Sequence, residues 1–395
     1  MTPSLLWASP LPPIASGVSD HAVELLAELV GRAPVRVVSP PGWQSPDDLP
    51  AVIRERLVPT STDPEPGEIA VVHLGNNPHH VWLLERLGRW PGAVVVLHDL
   101  VVHHLLVEAT LAVGDVAGFE AAVVRAHPGG GPAIAAARRV GLSGRRDPFL
   151  FPARRILPTH LRGAIVHSAW AAAAVRADLP DLPVAHVRLA VAGPDEDVSG
   201  ATERDALGLP LDDVVLMHLG FLTPQKGLDV VLSALAAAVV TGVSARLVVV
   251  GVEESDTRIR AAVDACGLGT RVTATGWLPT DAMRRAPAAA DLGVVIRTPS
   301  AGETSAAAAR FLACGTPVAV GGRRQFLELP PEVAPRLTPG PAAAADLARE
   351  VTRVARSRGS AAESARRGAA RDAWATLHRP DRAAEDLLAT LAEWA

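Results

Sequence analysis

Short apolar runs, each about as long as a buried strand, alternate along the chain with longer helical patterns. Runs of this kind are typical of strands that are buried on both faces. Their alternation with helices predicts right-handed β-α-β units and parallel sheets, so we expect an α/β protein with one sheet in each half. The predicted strands are 5–8, 35–38, 69–73, 94–98, 164–167 and 184–188 in the first half, and 214–219, 246–250, 272–275, 292–296 and 317–320 in the second.

A polar segment with Gly and Pro, residues 191–200, separates the two halves and predicts an interdomain linker. The N-terminal domain is then 1–190 and the second domain 201–375. Helices are predicted over 341–358 and 361–395, with a break at Arg379-Pro380. We expect the last part, 376–395, to be a helix that packs back on the N-terminal domain.

Composition excludes several classes of protein. The chain has 395 residues, 49% hydrophobic and 20% charged, which is typical of a globular protein. The net charge of −4 argues against general nucleic-acid binding. Apolar runs are too short to span a membrane, and the first residues lack a basic segment, so we expect a cytoplasmic protein. Cys266 and Cys314 are isolated, and no disulfide is implied.

Basic residues are concentrated in one segment. Between Arg138 and Arg162 there are seven arginines and a single acidic residue, Asp147. A solvated face is the ordinary explanation of such a cluster. The functional alternative is contact with an anionic acceptor or with anionic lipid, which would add peripheral binding at the inner membrane face.

The loop after strand 214–219 contains a lysine where a helix is expected to begin. Thr223 is a suitable N-cap and Pro224 suits the first helical position, so Lys226 falls in the first turn and Gly227 inside the helix. A cation at this end and a glycine inside a helix are both unfavourable. A bound phosphate would explain both residues. The alternative is a solvated lysine.

A second helix N-terminus follows strand 292–296. The sequence predicts a helix that opens with Glu303, Thr304 and Ser305 and closes at Gly315. Free N–H groups at such an end suit a phosphate, although the two hydroxyl residues can also serve only as caps. One diphosphate could contact this terminus and the Lys226 loop, with a nucleobase at the strand-end turns 250–253 and 275–279.

The first half offers a glycine turn and a histidine at strand ends. Ser16-Gly17 permits close backbone approach, and Ser19 or Asp20 can cap the following helix; the full G-x-G-x-x-G pattern is absent. His98 closes strand 94–98, where it can bind substrate or act as an acid or base. A structural role for His98 is the ordinary alternative.

The sequence contains two candidate metal sites, and neither is favoured. Neighbours of His98 include other histidines, but the helical i, i+4 spacing of metal ligands is missing. Asp195 and Asp197 form an Asp-x-Asp pair, yet no apolar strand leads into it. We therefore predict no metal ligand. The other histidines near His98 are His73, His79, His80, His103 and His104.

Taken together, these motifs resemble the retaining glycosyltransferases of family 4, whose GT-B fold has two Rossmann-like domains facing across a cleft. The resemblance covers nearly the whole chain and is most specific in its last segment. The similar segments are 10–20, 74–77, 97–99, 220–227, 275–278 and 299–317.

The resemblance implies roles for individual residues. The phosphate-binding lysine falls on Lys226, the glycine-loop contact on Gly17, the cleft histidine on His98, and the first glutamate of the family's Glu-x7-Glu signature on Glu303, where it contacts sugar hydroxyls. The implied catalytic residues are His98, Lys226 and Glu303. The implied donor-binding residues are Ser16, Gly17, Gly220, Lys226, Gly251, Leu278, Gly302, Glu303, Thr304, Ser305 and Arg310.

Two positions depart from the family pattern. Phe221 replaces an arginine of the lysine loop, and Arg310 replaces the second signature glutamate, which would hold the ribose. The segment is similar to a Gly-Glu-Thr-Ser variant in which Thr304 and Ser305 serve the phosphates. The implied reaction is metal-independent transfer of a sugar, with retention, from a nucleotide diphosphate donor to a hydroxyl acceptor, without a cofactor. Alternatives are a sugar-nucleotide 2-epimerase of the same fold and a non-catalytic sugar-nucleotide-binding partner.

Overall fold

The computed structural model describes residues 2–144, 146–195, 198–221, 223–252 and 256–395. The chain forms two compact units. The first contains Met1–Ala190, Pro299–Thr304 and Pro380–Ala395, and the second contains Val191–Thr298 and Ser305–Arg379. Arg145 of the predicted basic segment and Asp197 of the predicted acidic pair lie outside the described residues.

The first unit contains a seven-stranded parallel sheet in the order β3-β2-β1-β4-β5-β6-β7. Its central strands are buried on both faces, as their apolar runs predicted. The strands are β1 Ser4–Ala8, β2 Val35–Val38, β3 Leu57–Val58, β4 Glu68–Leu74, β5 Val94–Leu97, β6 Gly163–Val166 and β7 Val184–His186.

A six-stranded parallel sheet in the order β10-β9-β8-β11-β12-β13 forms the centre of the second unit. Register is continuous along its longest pair, where Val214 lies opposite Ala245 and Leu219 opposite Val250. The strands are β8 Val214–Leu219, β9 Ala245–Val250, β10 Val272–Ala274, β11 Leu292–Val295, β12 Val318–Gly321 and β13 Arg336–Leu337.

Helices connect the strands. In the first unit they are α1 Gly17–Leu29, α2 Ala51–Arg54, α3 Val81–Arg89, α4 His103–Ala109, α5 Val116–Ala126, α6 Gly131–Arg139, α7 Asp147–Leu150 and α8 Ala169–Asp178. In the second they are α9 Gly200–Ala206, α10 Leu228–Val240, α11 Thr257–Ala265, α12 Thr280–Arg285, α13 Ala306–Ala313, α14 Ala343–Ser357 and α15 Ala361–Leu377. The last helix, α16, is Pro380–Trp394. Among the described residues, none of these helices combines the length and the apolar character that crossing a membrane requires.

Helix α16 packs against α1 of the first unit, as the sequence predicted. Leu387 and Leu391 are buried in the same core as Leu25 and Leu26. Full burial of a leucine contributes about 1.5–3 kcal/mol, so each of these two side chains stabilises the packing of the helix on the first unit. An ion pair between Arg188 and Asp386 adds a polar contact at the edge.

All the predicted strands are present, and the α/β class with two parallel sheets is confirmed. The prediction missed β3 and β13. Each has two residues and lies at the edge of its sheet, and a run that short carries no readable pattern. Because the paired strands of each sheet run parallel, their carboxyl ends share one edge, where ligands of open α/β sheets bind.

Candidate active site

The lysine loop of the second unit differs locally from the prediction. Pro224–Lys226 forms a 3-10 turn, and α10 begins only at Leu228. Gly227 lies between them with φ +64, so placing it inside the helix was wrong. A Cβ at this position would also lie 2.9 Å from Cγ2 of Ile296. Backbone conformation and packing thus both require glycine here, and Thr223 makes no side-chain cap.

The lysine side chain lies over the carboxyl end of β8. A Cβ built on Gly220 would be 3.2 Å from Nζ of Lys226. The turn after β9 packs closely against Gly220, because a Cβ on Gly251 would be 3.3 Å from the Cα of Gly220. The backbone N–H of Gly251 donates to the carbonyl of Gly276 at 2.8 Å. Glycines at three strand ends therefore pack one against the next, and the first of them, Gly220, lies against the ammonium group.

Arg297 is a second cation near Lys226, and the sequence analysis did not identify it. The N–H of Thr298 donates to the carbonyl of Gln225 at 2.8 Å, which joins the loop after β11 to the lysine turn. Burial, together with the charges of Lys226 and Arg297, lowers the pKa of His218 to about 3. Positive charge from two loops is thus concentrated beside β8.

Lys226 is also the only lysine in the chain; the other 37 of its 38 basic residues are arginines. A single lysine among so many arginines is a further signal in the sequence that singles out Lys226. Lysine supplies a compact point charge on a flexible stem, whereas arginine presents a planar fork.

The segment Pro299–Thr304 belongs to the first unit. The N–H of Leu100 donates to the carbonyl of Ala301 at 2.8 Å, and the hydroxyl of Thr304 donates to the carbonyl of His167 at 2.9 Å. These bonds attach the segment to the loops that follow β5 and β6, which are the loops of His98 and His167.

Glu303 is held by a turn within this segment. The hydroxyl of Ser300 accepts from the N–H of Gly302 at 3.0 Å and donates to Oε2 of Glu303 at 3.2 Å. Gly302 has φ +80, and a Cβ there would lie 2.9 Å from the side chain of Leu100. The structure therefore places Glu303 in the same unit as His98.

The helix that follows starts later than predicted. α13 begins at Ala306 with Ser305 as its N-cap, whose hydroxyl accepts from the N–H of Ala308 at 3.3 Å. Thr304 therefore precedes the helix, and its hydroxyl proton is donated to the carbonyl of His167. That proton is unavailable to a phosphate while the bond persists. Gly315, with φ +71, follows the end of α13, and Arg310 is buried within it.

Four histidines cluster in the first unit: His73, His98 and His167 at the carboxyl ends of β4, β5 and β6, and His21 in helix α1. Nδ1 of His73 lies 2.9 Å from Nε2 of His98. The ring of His98 is 5.0 Å from that of His21 and 4.9 Å from that of His167, centroid to centroid. Burial lowers the pKa of His73 and His98 well below the ordinary value, and that of His21 less strongly. These three imidazoles are therefore neutral at pH 7.

The neighbours that the sequence suggested for His98 were mostly the wrong ones. His73 does contact it, whereas His79 and His104 are exposed and His103 bonds to the carbonyl of Phe151. His21 and His167 were missed because they are far from His98 in sequence. His167 directly follows β6, a position that could have identified it, whereas His21 lies inside α1 and carries no such signal.

The glycine turn after β1 has a different cap from the predicted one. Ser16 is the N-cap of α1 and accepts from the N–H of Val18 at 3.2 Å, so neither Ser19 nor Asp20 caps the helix. A Cβ built on Gly17 meets no described atom within 4 Å. The described fold therefore does not itself require a glycine at this position.

Two aromatic rings lie exposed beside the lysine loop. Phe221 and Trp277 are 5.0 Å apart in an edge-to-face arrangement and are each about half exposed, at 50% and 56%. Leu278 is partly buried next to them. Exposed rings at a strand end offer a surface on which a planar group can stack.

The basic segment is largely engaged within the first unit. Arg139 pairs with Glu120, and Arg154 pairs with Asp178. Arg162 donates to the carbonyl of Trp394 at 3.0 Å. These contacts give several of the predicted arginines a structural role.

Buried His80 should make the stability of the fold depend on pH. Burial lowers its pKa to about 4 from the ordinary histidine pKa of 6.5. The unfolded chain therefore takes up a proton first as pH falls, and stability is lost between about pH 6.5 and 4, by about 1.4 kcal/mol per pH unit. We expect His80→Gln to lose about 2 kcal/mol less than wild type between pH 7 and pH 5 in urea unfolding. Exposed His79→Gln should follow wild type; equal losses in all three proteins would contradict the assignment.

The chain is similar to known proteins in part of its sequence and in its fold. Residues 213–357 match the family model Glycosyl transferases group 1. No match is found among curated protein sequences.

Solved structures of similar fold cover nearly the whole chain. A sucrose-phosphate synthase from Thermosynechococcus elongatus has a TM-score of 0.67 at 17% identity, over 99% of this chain and 98% of that one. HepE of Anabaena, in complex with UDP-glucose, has a TM-score of 0.65 at 14% identity, over 99% of each chain. WaaG, a glycosyltransferase involved in lipopolysaccharide biosynthesis, has a TM-score of 0.63 at 17% identity, over 96% and 98%.

Two Rossmann-like parallel-sheet units are the architecture of the GT-B glycosyltransferases, and the predicted fold class is confirmed. The family match and the fold together support the predicted class of enzyme, a glycosyltransferase.

Proposed function

We propose that this chain is a retaining glycosyltransferase of family 4, in its Gly-Glu-Thr-Ser variant, which moves a sugar from a nucleotide diphosphate to a hydroxyl acceptor. The observation that carries the proposal is the positive charge of Lys226 and Arg297 beside β8, within the segment that matches Glycosyl transferases group 1. Such charge stabilises the diphosphate as it leaves. Arg297, and not the buried Arg310, then replaces the arginine that is lost at Phe221.

The remaining roles are part of the same proposal. His98 and Glu303, both in the first unit, contact the hydroxyls of the donor sugar. Ser305 contacts phosphate, since a hydroxyl that accepts as an N-cap still has its own proton to donate. The leaving phosphate takes the proton of the acceptor, so the transfer step uses neither a protein base nor a metal ion. Phe221 and Trp277 stack against the nucleobase.

Gly17→Ala should separate function from stability. No described atom obstructs a Cβ there, so we expect the free energy of unfolding to be unchanged or to rise by up to about 1 kcal/mol. The added methyl group would keep the donor phosphate from the backbone and lower kcat/KM by at least about tenfold, or about 1.4 kcal/mol. Gly31→Ala, which is equally unobstructed, is the matched control. Wild-type kcat/KM in Gly17→Ala would contradict the phosphate contact.

The donor is tested by thermal unfolding with a panel of nucleoside diphosphates. A ligand that binds the native state raises Tm, by mass action. UDP is the first to test, because HepE was solved with UDP-glucose. A rise in Tm with one diphosphate and none with its nucleoside supports the proposal. No rise with any diphosphate, at concentrations that saturate ordinary donor sites, opposes it.

Contact of the basic segment with anionic lipid, at the inner face of the membrane of a cytoplasmic enzyme, is a subsidiary proposal. It rests on the local excess of arginine between 138 and 162. Liposome flotation tests it: enrichment on anionic over neutral vesicles supports contact, and equal recovery rejects it.

A further inference from the structure

Three imidazoles of the histidine cluster lie close enough together to bind one ion. His21, His98 and His167 each offer one ring nitrogen, and these atoms all lie within 4.8 Å of one another. Zinc takes imidazole nitrogen at about 2.0–2.1 Å, which places tetrahedral ligand atoms about 3.3 Å apart. Each ring would move inward by about 1 Å or less to reach this geometry.

Backbone carbonyls fix the tautomers of two of these rings. Nδ1 of His21 lies 3.1 Å from the carbonyl oxygen of Ala190, and Nδ1 of His167 lies 3.0 Å from that of Val187. A carbonyl oxygen only accepts, so both Nδ1 atoms carry the proton and both Nε2 atoms keep a lone pair. Outer carbonyls orient metal-binding histidines in the same way.

The lone pair of His21 is directed away from solvent. Its side chain is 2% exposed, and its Nε2 has no hydrogen-bond partner among the described residues. Leaving a buried polar atom unsatisfied is unfavourable, and a bound ion would remove that cost. His98 is oriented by His73, at 2.9 Å between ring nitrogens.

The charge and exposure of the cluster suit a cation. Glu24, one turn along α1 from His21, is buried and interacts electrostatically with that histidine. Its carboxylate would offset part of the charge of a divalent ion. His98 is partly exposed, which gives the ion a route to the cluster.

We propose that His21, His98 and His167 bind one borderline transition-metal ion, Zn²⁺ or Co²⁺, with a fourth position open to water. Imidazole nitrogen suits these ions, whereas Mg²⁺ and Ca²⁺ prefer oxygen ligands. An ion at this site would occupy the ring of His98, which the proposed function assigns to the hydroxyls of the donor sugar. Zn²⁺ should therefore inhibit transfer in competition with the donor; this consequence rests on the proposed function, and metal binding does not.

Calorimetric titration of the full chain, without a histidine tag, with zinc chloride tests the site. We expect one ion per chain, and affinity reduced by at least about 100-fold in His21→Gln and in His167→Gln. His103→Gln is the matched control, because His103 is also buried and bonds through Nδ1 to a carbonyl, that of Phe151, outside the cluster. No binding to wild type, or equal affinity in all four proteins, overturns the inference.

Cobalt absorption tests the same site without any variant. The wild-type chain should give the intense visible bands of four-coordinate Co²⁺, which Zn²⁺ then removes; only the weak bands of six-coordinate cobalt would overturn the inference. The outcome is separable from the proposed function. Zinc binding by a chain that consumes no donor supports the metal site alone, and donor turnover by a chain that binds no zinc rejects the metal site alone.

Discussion

Replacing Lys226 by alanine should weaken nucleoside diphosphate binding by about 10- to 100-fold. A charge-assisted contact with phosphate contributes about 1.5–3 kcal/mol, and Arg297 alone would remain beside β8. Calorimetric titration with the diphosphate that raises Tm measures the loss. Lys226→Arg keeps the charge and should recover part of the affinity. Gln225→Ala, in the same turn, is the control for local disruption and should bind as wild type does.

A chemical property of the chain makes this test unusually direct. Because Lys226 is the only lysine, reductive methylation with ¹³C-formaldehyde labels that side chain and the N-terminal amine. The lysine signal should shift when the diphosphate is added and stay in place when the nucleoside is added. Unchanged affinity in Lys226→Ala, or a lysine signal that ignores the diphosphate, would contradict the phosphate-binding role.

Replacing Asp291 by alanine should destabilise the second unit by about 3–5 kcal/mol. Asp291 is 5% exposed; its Oδ2 accepts from Arg204 at 2.6 Å and from the N–H of Val215 at 2.7 Å. Arg358 and Arg367 approach its other oxygen at 3.5 and 3.6 Å. Loss of the carboxylate leaves the buried guanidinium of Arg204 without its charge partner, and one buried N–H of β8 without an acceptor.

Guanidinium unfolding of the full chain measures this effect. Asp291→Asn keeps the shape of the side chain and should fall between wild type and Asp291→Ala. Asp205→Asn, an exposed carboxylate beside Arg204 in sequence, is the matched control and should leave the midpoint unchanged. Equal shifts in Asp291→Ala and Asp205→Asn would show that the buried network does not stabilise the unit.

The fold was readable from the sequence because each sheet is built from strands buried on both faces. Continuous apolar runs such as 94–97 and 214–219 therefore marked strands directly. Local backbone conformation was less readable. Gly227 was placed inside a helix because the sequence does not show that its φ is positive. The sequence also does not show that Ser305, and not an earlier residue, is the N-cap of α13.

The site was predicted as single residues, and the contacts among them were not. Lys226, His98 and Glu303 were selected from local spacing, whereas Arg297 and the ring contacts of His21 and His167 depend on tertiary structure. No pattern within a short window relates residue 21 to residues 98 and 167. Parallel strands place His98 and His167 at one edge, so listing the polar residues at strand ends would have found that pair, whereas His21 reaches it from helix α1.

The stereochemistry of donor cleavage tests the central claim most directly. The full chain is incubated with a panel of α-linked nucleotide diphosphate sugars, beginning with UDP-glucose, and followed by proton NMR without an acceptor, so that water receives the sugar slowly. We predict release of the nucleoside diphosphate from one donor, with the α-anomer of the free sugar appearing before mutarotation. Initial release of the β-anomer, or epimerisation of the sugar on the intact nucleotide, would contradict a retaining glycosyltransferase.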